Sequence, residues 1–173
     1  METTIAEPTQ NIVNQAIINK QSLLDHWLGH RNVSRRVIEA FPEDQLFKFS
    51  IGGMRTAAGL FMEIIHLGAP GIRGVVEGKW DTLETVERNL PEPKTKAALL
   101  AMYDAGTAEI VSLWSKITTQ RFLEMDQFFG QYEGSIISSV MYVIDNEIHH
   151  RAQTYVYLRA LGIEPPAFWN RGE

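Results

Sequence analysis

The chain has 173 residues, 45% of them hydrophobic and 21% charged, with a net charge of −5 and no cysteine. These figures exclude a largely disordered chain, disulfides, thiolate metal ligands and a protein thiol nucleophile. The acidic balance disfavours nucleic acid and anionic lipid as partners, and Arg35-Arg36 and His149-His150-Arg151, the densest basic clusters, are too short to track a phosphate backbone.

The length suits one domain over residues 1–173, with a core large enough to fold without staples. Met1 to Gln10 is polar and acidic, reads as a loose tail, and lacks the basic start and apolar core of a secretory signal. No apolar run approaches the roughly 20 residues that span a bilayer. The expectation is a cytoplasmic protein with no membrane partner.

Four segments carry helical periodicity. The first runs from Thr9 to Phe41, loosened at Gly29, with Leu24, Trp27 and Leu28 as one stripe and Val37, Ile38 and Phe41 as another. Pro42 ends it, and Pro42 to Gly53 reads as a loop in which only Leu46 to Ile51 has a strand-like alternation. The second helix begins near Thr56, carries Leu60, Phe61, Ile64 and Ile65 on its apolar side, and is expected to kink or end near Pro70. A connection from Gly74 to Lys94 follows.

The third helix spans Pro93 to Ile117, marked by Leu99, Leu100, Tyr103, Ile110 and Leu113. Thr118 to Gly134 is a second connection, with a short turn of helix and no convincing strand. The fourth helix, Ser135 to Leu161, has Ile137, Met141, Ile144, Ile148, Tyr155 and Leu158 at three- and four-residue spacing. Gly162 supplies its cap and Pro165-Pro166 prevents continuation. Four long helices with two long connections predict an all-α, four-helix bundle with at least one crossover connection.

The string Asp145-Asn146-Glu147-Ile148-His149-His150-Arg151-Ala152-Gln153 is the most informative. Residues three and four apart share a helical face, so Asn146, His150 and Gln153 align, with Glu147 and His149 on the flanks. Histidine at position 146 would have given H-E-x-x-H, a familiar zinc spacing; asparagine stands there instead. On the second helix Gly59, Met62, Glu63 and His66 share a face, and His66 meets His150 across the core if helices two and four are neighbours. The plainer reading is that these histidines are core or surface residues, satisfied by Glu147 or Asp145.

Asn146 to Gln153, with Tyr157-Leu158-Arg159-Ala160-Leu161-Gly162-Ile163-Glu164-Pro165-Pro166, closely resembles the last-helix signature of the DinB family, and so does Gly53-Met54-Arg55-Thr56 ahead of Ile65-His66-Leu67. The resemblance covers Leu24 to Trp169. It implies a four-helix bundle with a crossover, a homodimer, and a divalent metal, nickel or zinc, held by one histidine of the second helix and a histidine pair of the last. His66 then maps to the first ligand, Asn146 to the middle one, where the chain departs from the pattern, and His150 to the last. His149 matches the non-ligand histidine of the doublet. Asn146 either ligates through its carbonyl oxygen, giving a weaker site, or marks a site left empty or repurposed.

Two functions follow from the resemblance. One is a metal-dependent transferase or hydrolase acting on a small molecule, with a low-molecular-weight thiol as cosubstrate. In it Glu147 is a weak candidate for proton transfer, Gln153 and Tyr157 line a pocket, and Arg151 binds an anionic group or pairs with a carboxylate. The other is a non-catalytic, stress-associated dimeric binding protein with a degenerate metal site. The aromatic residues Phe128, Phe129, Phe168 and Trp169 are candidates for the dimer surface.

Overall fold

The computed structural model describes residues 18–172. Asn19 caps the first helix, its side chain accepting from the Ser22 N–H at 2.9 Å, and α1 runs over Lys20–Ala40. The expected tail at 1–10 and the Thr9 start of the first helix lie outside the described residues. α1 passes Gly29 without a break. Extended backbone at Phe41, before Pro42, ends it.

The expected loop at 42–53 instead contains α2 (Glu43–Lys48). Glu43 and Asp44 sit in its first turn and Lys48 in its last, which suits the helix dipole. Leu46, the start of the strand-like alternation, is the buried anchor of this helix.

Thr56 caps α3 (Ala57–Glu77) by accepting from the Gly59 N–H at 3.1 Å. The helix does not end near residue 70: Pro70 lies inside it, and the left-handed Gly78 (φ 64°) closes it. A proline removes one backbone hydrogen bond, but 15 of the 21 residues of α3 are buried, and that packing outweighs the local penalty. By length and composition alone α3 is also apolar enough to cross a membrane, which corrects the expectation that no such run exists; here its apolar surface is buried inside the bundle.

Short elements fill both expected connections. α4 (Leu83–Asn89) lies between α3 and α5 (Lys96–Trp114), and Thr95 caps the latter. α6 (Thr119–Leu123) is followed by β1 (Met125–Phe128) and β2 (Tyr132–Ser135), an antiparallel hairpin pairing Met125 with Ser135 and Phe128 with Tyr132. This hairpin was not expected. It stands on Phe128 and Phe129, both buried, whose rings meet Trp80 at centroid distances of 5.0 and 5.9 Å. These two aromatics therefore pack within their own bundle and not at a dimer surface, whereas Phe168 and Trp169 are exposed. α7 (Ile136–Ala160), capped by Ser135, matches the expected fourth helix closely.

α3 packs against α5 and α7, and α1 packs against the same two. α1 and α3 therefore occupy opposite corners of the bundle, as do α5 and α7, and the links α1 to α3 and α5 to α7 both cross it. The core falls into two apolar clusters. One holds Trp27, Ile72, Trp114 and Ile144, the other Val37, Phe61, Tyr103 and Leu158. Between them runs a buried polar layer of His30, Arg31 and Ser34 from α1 and Glu147, Arg151 and Thr154 from α7.

Candidate functional site

Because α3 and α7 are neighbours, Glu63 can reach the polar face of α7. Asn146 and His150, one turn apart, converge on the same carboxylate oxygen: Asn146 Nδ2 donates to Glu63 Oε1 at 3.0 Å, and His150 Nε2 lies 2.8 Å from it. Arg55 pairs with the other oxygen. Burial pushes the Glu63 carboxyl up, but hydrogen bonds from Asn146, His150 and Arg55 outweigh it and hold the group at about 2, so Glu63 is an anion at neutral pH.

The ring of His150 is fixed at both nitrogens. Nδ1 faces Gln153 Oε1 at 2.9 Å, while Gln153 Nε2 donates to His149 Nε2 at 3.2 Å. Both ring nitrogens of His150 therefore face acceptors, the Glu63 carboxylate at Nε2 and the Gln153 amide oxygen at Nδ1. Asn146 Oδ1, by contrast, is buried and has no hydrogen-bond partner among the described residues.

Glu63 opens onto a cleft of about 500 Å³ bounded by α3, the α4 region, the hairpin and α7. His66 also lines it, but its Nε2 sits 2.8 Å from the Leu90 carbonyl oxygen, and no hydrogen bond joins it to Asn146 or His150. The α3 residue that meets α7 is therefore Glu63, one turn before the histidine that the sequence points to. The signal available in the sequence was the shared face of Glu63 and His66; histidine drew the assignment because imidazole is the commoner ligand.

Glu147 departs further from expectation. It is fully buried and accepts four hydrogen bonds, from Ser34 Oγ (2.7 Å), Tyr103 Oη (2.7 Å), Trp27 Nε1 (3.0 Å) and Arg31 Nη1 (3.4 Å). Every strong acceptor direction faces α1 or α5, so the carboxylate is an internal anchor and not a proton-transfer group of the cleft. Arg151 is likewise internal. It donates to the His30 carbonyl (2.9 Å), Ser34 Oγ (3.3 Å) and His30 Nδ1 (3.0 Å), which leaves neither an anionic substrate nor a direct carboxylate pair as its role. Tyr157 is buried, and its hydroxyl donates to the Arg55 carbonyl at 2.8 Å. It thus positions the backbone from which Arg55 reaches Glu63, and does not line the cleft. His149 is exposed and linked to the site only through Gln153.

Among the described residues no three His, Asp or Glu side chains gather closely enough to hold a metal ion. The donors that do converge are one carboxylate, one imidazole and one amide. Glu63 as an anion beside the His150 imidazole suits a divalent cation, and Asn146, which now faces Glu63 with its N–H, would add its Oδ1 only on turning its amide over. Two oxygens and one nitrogen form a harder set than three imidazoles.

The arrangement defines a class: a crossed four-helix bundle with a polar site between its second and last long helices, opening on a side cleft. The DinB family profile matches residues 13–171, and the chain belongs to the DinB family. Its fold is similar to that of a DinB-like protein from Bacillus subtilis, with a TM-score of 0.68 at 20% identity over 84% of this chain and 96% of that one. A DinB-like protein from Bacillus cereus gives a TM-score of 0.67 at 19% identity over 85% and 95%. No curated protein matches the chain by sequence.

Proposed function

We propose that the chain binds one divalent cation through Glu63, Asn146 and His150 and acts on a small molecule held in the adjoining cleft. The observation that carries this reading is the buried, unpartnered Asn146 Oδ1 beside an anionic carboxylate and an imidazole. When bound, the ion would supply positive charge that stabilises the anionic form of a coordinated water or thiol at neutral pH. With no cysteine in the chain, a thiol would come as a low-molecular-weight cosubstrate.

The chain's own residues divide the remaining work. Gln153 fixes the ring of His150 from behind, the task that outer-sphere partners perform for ligating histidines. Arg55 and Tyr157 together set the height of Glu63 on the cleft wall. The oxygen-rich set favours harder ions relative to nickel or zinc than the usual three histidines would.

A second reading has its own support. Arg55, Glu63 and His150 already satisfy one another, so the site is electrostatically complete without an ion, as a non-catalytic binding protein would need. Metal content after purification without an affinity tag separates the two. The metal reading expects about one ion per chain, lost in Glu63→Gln and in His150→Ala and retained in His66→Ala. An ion-free native chain, unresponsive to added nickel, zinc or manganese, would overturn it.

A further inference from the structure

The cleft beside Glu63 is uneven in charge. Glu63 itself is locally balanced, since Arg55 pairs with one oxygen while Asn146 and His150 face the other. Two further carboxylates, Glu87 and Glu92, line the same cleft, and among the described residues neither makes an ion pair. Glu92 leans across the mouth: its Oε2 is 3.8 Å from where a Cβ on Gly59 would sit, one helical turn before Glu63. Among the described residues no lysine lines the cleft, and Arg55 is its one arginine.

The rest of the wall is aromatic. Tyr132 from β2 and Tyr142 from α7 are 57% and 56% exposed, with the buried Phe128 beside them. Both phenol rings stand on the wall of one cleft, where their faces are open to a ligand that enters it. Ring faces attract cations and carboxylates reinforce that field, whereas an anionic ligand would meet two unbalanced negative charges. A cleft of about 500 Å³ has room for a small molecule.

We propose that the ligand of this cleft is a small organic cation, an ammonium or guanidinium group carried on an apolar or aromatic body. The proposal rests on the reading of the cleft as the substrate site, but not on the metal.

Calorimetric titration of the full chain with three probes of one body and three charges tests it: 2-phenylethylammonium, neutral 2-phenylethanol and anionic 3-phenylpropionate. Each is titrated into chelator-treated protein and into protein reconstituted with divalent metal. In the metal-free protein the ammonium is expected to bind about tenfold more tightly than the alcohol, with the carboxylate weakest, and to weaken with added salt. The double variant Glu87→Gln/Glu92→Gln removes most of that preference, and Tyr132→Leu weakens the ammonium more than the alcohol. All three residues are exposed, so folding is unaffected. A metal-free protein that binds the alcohol or the carboxylate as tightly as the ammonium, or binds none of the three, overturns the proposal. An ammonium preference in a protein that retains no metal leaves it standing and removes only the metal reading.

Discussion

Glu63 and Glu147 are both carboxylates in contact with polar side chains, yet their surroundings give them opposite roles. Glu147 accepts from four donors and has none of its surface in the cleft; Glu63 accepts on a cleft wall and borders an orphaned amide oxygen. Glu147→Gln would leave the buried Arg31 without its ion-pair partner and Arg151 without the carboxylate that favours its charge, at a cost of about 3 kcal/mol of stability by urea unfolding. Asn146→His is expected to tighten metal binding by about tenfold or more, and Gln153→Ala to loosen it by about tenfold, both read by competition with a chromophoric chelator. His30 makes stability depend on pH. Burial first, then Arg151, Arg171 and His26, lower it from 6.5 to about 4 against the opposing pull of Glu147, so its Nδ1 stays free to accept from Arg151. The unfolded chain then binds the extra proton first, and this contribution to stability is present above pH 6.5 and lost as pH falls toward 4. Thermal midpoints across that range are expected to fall more steeply for the native chain than for His30→Gln. At this scale the sequence located Asn146, His150 and Gln153 as one face, because helical spacing is local. It did not show that Glu63 meets Asn146 and His150 while His66 meets the Leu90 carbonyl, since both depend on the rotation of α3 against its neighbours.

Among the elements, α3 shows how packing overrides local signals. Gly68, Pro70, Gly71 and Gly74 read as the end of a helix, but the glycines are where neighbours come closest: the Phe128 ring lies 3.0 Å from where a Cβ on Gly71 would sit, and a Cβ on Gly74 would overlap the Trp80 ring. Gly74→Ala therefore tests two opposed effects. Alanine favours the helix by about 1 kcal/mol, while displacing the half-buried indole from its packed position costs about 1–3 kcal/mol. A net loss of stability is expected, with a change in near-ultraviolet circular dichroism as Trp80 moves. The long helices α1, α5 and α7 were legible from their stripes and caps. α6 matches the short turn of helix expected after Thr118, but α2, α4 and the hairpin were not legible, because elements of four to seven residues carry too little periodicity to read.

For the molecule as a whole, the sequence carried the fold class, because helix length and connection length restrict how four helices close, whereas the neighbouring of α3 and α7 entered only as a condition that the packing fulfils. It carried nothing of the layered interior, in which two apolar clusters sit above and below a band of guanidinium, carboxylate and hydroxyl groups. That band has a mechanical consequence. Greasy surfaces tolerate one helix sliding along another by a turn, since leucine for isoleucine is a small change. A slide of α7 against α1 would pull Glu147 away from Trp27, Arg31 and Ser34 at once and strand two cations in the interior. The polar belt therefore acts as a detent, fixing the axial register of the bundle and with it the level at which Asn146 and His150 arrive beside α3.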